Sequence, residues 1–309
     1  MTARARATVV ALLAIASLSG LAPTPSAEAA GIRYLEEVFP TWTTTKDLVY
    51  GQSTTRQGVL QQHRLDVLQP GGDTAPKRAA VVWVHGGFFL EGSKDVSWYA
   101  AALEQFVRAG YVVFSIDYRL NPDIPHGLLN TVQELQIEQY KATVRDAQHD
   151  AQAAVRWVRA HAAEYRVDPD EIAIAGHSAG GITSQSVLFN EHDPGSSGTP
   201  GVSSHVAAAI SSAGASAPGV TVQIDPGESP LLISHGLLDD VVPYAPNISS
   251  CLTTVALGNV CEQTLDPDQA HEQFGFGHWR SFLYRRMIAP SGTELPLHVE
   301  VVGVEPLVP

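Results

Sequence analysis

Short apolar runs alternate with amphipathic stretches along most of the chain. Runs that are almost continuously apolar are typical of strands covered on both faces of a sheet. We predict six such strands, at residues 79–84, 111–116, 171–175, 206–211, 231–234 and 260–265. A more alternating run at 63–68 predicts a half-buried edge strand ahead of them.

Between these strands, apolar residues recur at the spacing of amphipathic helices. The spacing of apolar residues predicts helices at 95–109, around 147–158, at 179–190, at 246–257 and at 278–287. Gly110 suits the left-handed position that ends a helix. Strands that alternate with helices predict an α/β fold, with a mostly parallel sheet and helices on both faces. In such a sheet, reactive groups gather beyond the carboxyl ends of the strands.

The first residues have a different pattern. Arg4 and Arg6 precede an apolar run at 8–20, and small residues surround Ala29. This pattern predicts a signal peptide at 1–29 and an exported protein, because a bilayer span needs about 20 apolar residues. Residues 30–58 are polar and rich in Thr, which predicts a loosely attached N-terminal arm. We assign 59–309 to a single catalytic domain.

Charge narrows the possible partners. The full chain has a net charge of −13, and removal of Arg4, Arg6 and Glu28 leaves 17 basic against 31 acidic residues, or −14. An acidic surface disfavours nucleic acid and anionic membranes, which both attract basic patches. No second segment is apolar and long enough to predict a membrane span. Composition leaves the oligomeric state open.

The sequence contains two cysteines, Cys251 and Cys261. In an exported protein a small, even number of cysteines predicts one disulfide. Two buried free thiols are the alternative. No His or Cys pair lies nearby at the spacing of metal ligands, so we predict no metal site there.

The motif Gly176-His177-Ser178-Ala179-Gly180 carries the main chemical signal. It follows a predicted strand and precedes a predicted helix, as a G-x-S-x-G turn requires when it presents a serine nucleophile. A serine hydroxyl needs a base to take its proton and donors to hold the oxyanion that forms. An ordinary tight turn is the alternative, and we favour Ser178 as the nucleophile.

Upstream, His85-Gly86-Gly87-Phe88 directly follows the strand at 79–84. A Gly-rich loop at a strand end can point backbone N–H groups at an oxyanion. Gly87 and Phe88, together with Ala179, are the candidate donors. We expect His85 to orient this loop, whereas a plain strand-to-helix turn is the alternative.

The chain resembles the esterase/lipase branch of the α/β-hydrolase superfamily, particularly small secreted carboxylesterases. The similarity covers roughly residues 60–288. It rests on Arg64-Leu65-Asp66-Val67, His85-Gly86-Gly87, Asp117-Tyr118-Arg119-Leu120, Asp150 with Ala153, Ala154 and Trp157, Gly176–Gly181, and His235-Gly236 with Asp239 and Val242-Pro243.

The resemblance implies the order serine, acid, histidine along the chain. On that pattern we favour Asp239 as the acid over its neighbour Asp240. His271 and His278 are the two candidates for the base. His271 lies 32 residues after Asp239, as in typical relatives, whereas His278 follows a Gly, as the base often does. We favour His271.

These expectations describe an extracellular serine hydrolase that acts on carboxylic esters with an apolar acyl or aryl group, without a metal or organic cofactor. Residues 121–145 add apolar residues to the family pattern, which predicts either a lid or a helix capping the core. The substrate is a small-molecule or polymeric ester, the latter a polyester, a lipid or a feruloyl- or acetyl-decorated polysaccharide. A peptidase and a non-catalytic binding protein on a hydrolase fold are less favoured.

Overall fold

The computed structural model describes residues 31–95, 97–123, 134–216, 222–272, 275–292 and 295–302. The strands of this part are β1 (Trp42–Thr54), β2 (Leu60–Pro70), β3 (Arg78–Val84), β4 (Val112–Ile116), β5 (Val167–His177), β6 (Ala208–Ser212), β7 (Leu231–Gly236), β8 (Cys261–Asp266) and β9 (Leu297–Val301). Its α-helices are α1 (Ala100–Ala109), α2 (Glu134–Ala160), α3 (Ala179–Phe189), α4 (Ala245–Ala256) and α5 (Phe276–Leu283).

The strands form one sheet in the order β1-β2-β4-β3-β5-β6-β7-β8-β9. From β4 to β9 every neighbouring pair is parallel, and only the pairings of β2 with β1 and β4 are antiparallel. The predicted α/β architecture is confirmed. The parallel pairs align the carboxyl ends of β3 and β5 to β8 along one edge of the sheet.

The core has two halves, one on each face of this sheet. Successive side chains of a strand point to opposite faces, so Ala80, Val82 and Val84 of β3 pack in one half and Ala79, Val81 and Trp83 in the other. The first half contains residues of α2, α3 and α4, and the second contains residues of α1 and α5. Helices on both faces explain why the central strands read as continuous apolar runs.

The prediction of a loose N-terminal arm at 30–58 is wrong for the described residues. β1 pairs with β2 from Trp42–Pro70 to Thr54–Leu60. Most of its side chains are exposed or half-buried, so a strand at the sheet edge can be polar and Thr-rich. Arg33 also pairs with Asp73 at 2.7 Å. The domain therefore includes residues ahead of 59. The prediction of an edge strand at 63–68 is also wrong, because β2 pairs with β1 on one side and with β4 on the other.

β9 and the end of α5 also differ from the sequence pattern. β9 pairs with β8 at the far edge of the sheet, and all five of its side chains are exposed. Because its side chains are exposed, β9 has no continuous apolar run, which is the pattern that predicts the central strands. The last helix begins at Phe276 and continues as a π-helical turn at Tyr284–Ile288.

The apolar insertion at 121–145 is described only at its two ends. Asn121 donates a hydrogen bond to Thr143 at 2.9 Å, and the ring of Tyr140 packs on Phe89 at 5.9 Å between centroids. These contacts join the described ends of the segment to the core. Residues 124–133 of this segment lie outside the described residues, so the lid at 121–145 stays a prediction.

A disulfide joins Cys251 of α4 to Cys261 of β8, with 5.5 Å between the Cα atoms. Both residues are buried in the half of the core that contains α2, α3 and α4. The bridge therefore fastens α4 to the sheet. Within the described ranges, no helix combines the length and the apolarity that a membrane crossing needs.

Candidate active site

Three neighbouring regions of one sheet edge bring Ser178, Asp239 and His271 together. Ser178 directly follows β5, Asp239 lies three residues beyond β7, and His271 lies five residues beyond β8. The sequence separates these residues widely, but β5, β7 and β8 lie within four adjacent strands of the sheet. The site forms at the edge where α/β sheets carry their reactive groups.

Ser178 occupies a strained turn between β5 and α3. Its backbone has φ 57° and ψ −120°, a conformation that costs a non-glycine residue free energy. Glycines make the turn sterically possible: a Cβ on Gly176 would lie 2.4 Å from Gly180 backbone atoms, and one on Gly180 would lie 2.0 Å from the Val84 carbonyl oxygen. The turn therefore needs small residues at both positions.

A line of hydrogen bonds connects the three side chains. His271 Nδ1 lies 2.8 Å from Asp239 Oδ2, and His271 Nε2 lies 2.9 Å from Ser178 Oγ. Because an ionised carboxylate only accepts hydrogen bonds, Nδ1 carries the imidazole proton and Nε2 is left to accept from the serine hydroxyl. This is the arrangement a general base needs in order to take the serine proton.

Asp239 is held from several directions. Its Oδ1 accepts from the backbone N–H groups of Val241 at 2.9 Å and Val242 at 2.8 Å. Burial alone would raise its pKa, but hydrogen bonds from His235, His271 and Val242 outweigh burial and lower the pKa of Asp239 well below its ordinary value. Asp239 is therefore a carboxylate at neutral pH.

The two rival residues lie elsewhere. Asp240 is exposed. His278 lies in α5, where its Nδ1 is 2.8 Å from Glu300 of β9. It lines a separate cavity of about 220 Å³ with residues of β8 and β9. The structure therefore brings His271, and not His278, next to Ser178.

His235 contributes to the site although sequence analysis gave it no role. It is fully buried, and its Nε2 lies 2.9 Å from the Val242 carbonyl oxygen and 3.3 Å from Asp239 Oδ2. Since a carbonyl accepts, this nitrogen donates, and Nδ1 accepts from Asn247 at 3.3 Å. The sequence signal for this contact was the position of His235, four residues before Asp239 at the end of a buried strand.

The predicted oxyanion loop is a tight turn beside Ser178. Gly87 and Phe88 have positive φ values of 119° and 58°, and the Gly87 carbonyl accepts from Leu90 and Glu91. His85 Nδ1 donates to the Gly86 carbonyl at 2.7 Å, and burial lowers the pKa of His85 to about 4. A neutral, buried His85 thus fastens the loop.

Ala179 is the first residue of α3 and is 2 % exposed. The first N–H groups of a helix have no partner within the helix, and this N–H directly follows the serine. The three predicted donor residues therefore lie near one another, because Gly87 and Phe88 line the same cavity as Ser178.

The cavity at Ser178 has a volume of about 520 Å³ and opens to solvent. This is within the usual range of small-molecule sites. Its lining is mainly aromatic and acidic around the serine and histidine: Gly87, Phe88, Glu91, Trp98, Tyr99, Ala101, His177, Ser178, His271, Glu272 and Phe276. In the described part of the chain, no group of three or more His, Cys, Asp or Glu residues could hold a metal ion.

Comparison with known proteins finds a hydrolase family model and several esterases. The BD-FAE family model matches residues 65–193. Over 125 residues the chain is 33% identical to esterase LipI of Mycobacterium tuberculosis, and over 101 residues it is 39% identical to carboxylesterase NlhH of the same species. These alignments span 40% and 33% of this chain, but only 33% and 26% of the relatives, so the chain matches about a third or less of their length.

Solved structures match over more of the chain. Propionate-bound Est2, an esterase from Thermogutta terrifontis, has a TM-score of 0.60 and 25% identity, covering 79% of this chain and 91% of its own. The same esterase phosphorylated by paraoxon has a TM-score of 0.56 and 26% identity, covering 75% and 85%. The chain therefore has the α/β-hydrolase fold, and it is similar in sequence and in structure to esterases.

Proposed function

We propose that this protein is a serine carboxylic-ester hydrolase in which Ser178 is the nucleophile, His271 the general base and acid, and Asp239 the residue that orients His271. The observation that carries the proposal is the hydrogen-bonded line from Asp239 through His271 to Ser178, at 2.8 and 2.9 Å. Ser178 and His271 also line a cavity that is open to solvent, which gives an ester access to the serine.

The reaction follows from this arrangement. Ser178 Oγ bonds to the ester carbonyl carbon while His271 Nε2 takes its proton, and the N–H groups of Gly87, Phe88 and Ala179 hold the oxyanion. The bond to the alcohol oxygen then breaks as His271 returns the proton to that oxygen. Water attacks the acyl-enzyme with the same assistance, which releases the carboxylic acid and restores Ser178.

Hydrolysis of p-nitrophenyl acetate tests this assignment. Ser178→Ala and His271→Ala should each lower kcat by about 10³-fold or more, since the two residues act as a unit. His278→Ala, matched in chemistry but placed against Glu300, should keep kcat within about threefold of the wild type. Full activity of Ser178→Ala would refute the mechanism, and loss confined to His278→Ala would assign the base to that residue.

Acyl-chain preference is the next level of the proposal. A cavity of about 520 Å³ that also has to hold the alcohol leaves room for a short acyl chain or a single aryl ring. We expect kcat/KM to peak among acetate, propionate and butyrate esters and to fall for palmitate. A maximum at palmitate would indicate a lipase with a larger acyl site.

A polymeric ester is the second candidate substrate. It is supported by Trp98, which is 77 % exposed at the cavity and could contact a chain that extends beyond it. A comparison of kcat/KM for acetate release from acetylated polysaccharide and from p-nitrophenyl acetate distinguishes the polymeric from the small-molecule substrate. Loss of polymer activity alone in Trp98→Ala would favour the polymer.

Export is also part of the proposal. The Cys251–Cys261 disulfide supports it, because disulfides persist in oxidising compartments. Expression of the full chain followed by mass analysis of the culture medium should find a product that begins at Ala30. Retention of an uncleaved chain inside the cell would contradict export.

A further inference from the structure

The alcohol half of the ester has a defined place in the cavity. During acyl-enzyme formation His271 Nε2 must hand its proton to the departing alcohol oxygen. The alcohol therefore lies against His271. Glu272 follows His271 in the chain, is exposed and lines the same cavity. Phe276 at the start of α5 also lines this cavity.

Two carboxylates of this cavity have no positive partner in the part of the chain that the structure describes. Within the described residues, neither the Glu272 carboxylate nor that of Glu91 makes an ion pair or a hydrogen bond, and no Lys or Arg lines the cavity. The buried carboxylate of Asp150, by contrast, pairs with Arg119 at 2.9 Å. Outside the described residues the sequence has only two cations, Arg4 and Arg6.

Aromatic rings form the rest of the wall. Trp98 and Phe88 are 77 % and 42 % exposed, and Tyr99 and Phe276 line the same space. An aromatic face attracts a cation through its quadrupole, and Trp does so most strongly. A neutral alcohol of the same shape, without other hydrogen-bond donors, would gain only apolar contact from these rings and no charge attraction from the carboxylates.

From these observations we propose that the alcohol side of the cavity selects esters whose alcohol carries a positive charge, such as a quaternary ammonium group, over neutral esters of the same shape. The inference rests on the proposed function, since it places the alcohol by the proton transfer from His271. Glu272, which follows His271 in the chain, supplies one anion, Glu91 supplies a second, and Trp98 supplies the aromatic face. An alcohol with a negative charge is disfavoured for the same reason.

The experiment compares two acetate esters that differ only in charge. Choline acetate has a trimethylammonium group where 3,3-dimethylbutyl acetate has a tert-butyl group. At about 20 mM salt, where charges interact over a long range, we expect kcat/KM of the wild type to be about tenfold higher for the choline ester, equivalent to about 1.4 kcal/mol. The difference should lie mainly in KM and shrink at about 0.5 M salt.

Variants identify the groups responsible. In the double variant Glu91→Gln, Glu272→Gln the preference should fall to about twofold, the part left to the aromatic rings. Glu138→Gln removes one charge from the surface of α2, where Glu138 pairs with Lys141 at 2.8 Å. This control should keep both the full preference and wild-type hydrolysis of p-nitrophenyl acetate.

Equal kcat/KM of the wild type for the two esters, or a preference that stays at about tenfold in the double variant, would overturn the inference. If neither ester is hydrolysed, choline and 3,3-dimethylbutanol are compared as inhibitors of p-nitrophenyl acetate hydrolysis, and equal inhibition has the same meaning. Failure of the proposed function looks different, because the wild type would then hydrolyse p-nitrophenyl acetate no faster than Ser178→Ala does.

Discussion

Each residue of the candidate triad is fixed by a different local constraint. Ser178 is set by a strained turn between two glycines, and Asp239 by two backbone N–H groups and two histidines. His271 is the most exposed of the three, with 20 % of its side chain accessible, and its two ring nitrogens contact the other two residues. At the residue scale the histidine depends on its partners, whereas the serine and the carboxylate are held by the fold.

Substitution of Asp239 and of its exposed neighbour Asp240 tests which of the two carboxylates orients His271. Asp239→Asn keeps the shape of the side chain but lets an amide N–H face His271 Nδ1, which favours the wrong tautomer. We expect kcat for p-nitrophenyl acetate to fall by about 10³–10⁴-fold, with KM little changed. Asp240→Asn, at the exposed neighbouring position, should keep kcat within about twofold. Similar losses in both variants would contradict the assignment of Asp239.

At the scale of elements, the sequence predicted what depends on local periodicity. The buried strands and the amphipathic helices were recognised because both sides of the sheet are covered, and Gly110 ends α1 with φ 109° as predicted. β1 and β9 were missed because strands at the sheet edges are exposed and lack an apolar run. His235 was missed because its role depends on its distance from Asp239 in space.

Alanine substitutions at Gly180 of α3 and Gly277 of α5 test how closely α3 packs on β3. Gly180→Ala would place a methyl group 2.0 Å from the Val84 carbonyl oxygen, so we expect a loss of about 3 kcal/mol or more in the free energy of unfolding. The Cβ of Gly277→Ala in α5 meets no neighbouring atom of the described residues within 4 Å and should stabilise the protein by about 0.5 kcal/mol, because alanine favours helix. Urea denaturation measures both, and equal effects would show that α3 does not pack this closely on β3.

The disulfide between α4 and β8 is a second constraint at this scale. It closes a loop with a sequence separation of 10 residues, for which chain entropy predicts about 2–3 kcal/mol of stabilisation. The double variant Cys251→Ser, Cys261→Ser should therefore lower the free energy of unfolding by that amount. Added reductant should destabilise the wild type and leave the variant unchanged. A wild type insensitive to reductant would show that the bridge adds little.

For the whole molecule, buried histidines make stability depend on pH. Burial lowers the pKa of His85 to about 4, and burial together with the nearby His271 lowers the pKa of His177 to about 3. An unfolded histidine titrates near 6.5. Between that pH and the folded pKa values the unfolded chain binds more protons, so stability falls as pH falls. The lowered pKa of Asp239 acts in the same direction below about pH 4.

We therefore expect the free energy of unfolding to decrease between pH 6 and pH 5, with each of the two histidines contributing at most about 1.4 kcal/mol per pH unit. His177→Gln should reduce this slope by about one proton. His192→Gln, at an exposed position, should leave the slope unchanged. Urea denaturation at a series of pH values measures the slopes, and identical slopes in all three proteins would contradict the assignment.

The separation of Ser178, Asp239 and His271 onto different strand ends has a consequence for how such a molecule can change. Hydrogen bonds between adjacent strands hold their spacing at about 4.8 Å, whatever the length of the connections between them. The connection at 190–207, which contains none of the three residues, can therefore lengthen, shorten or change composition while the reacting atoms keep their distances. Evolution and protein engineering can thus alter such a connection without rebuilding the chemistry at the strand ends.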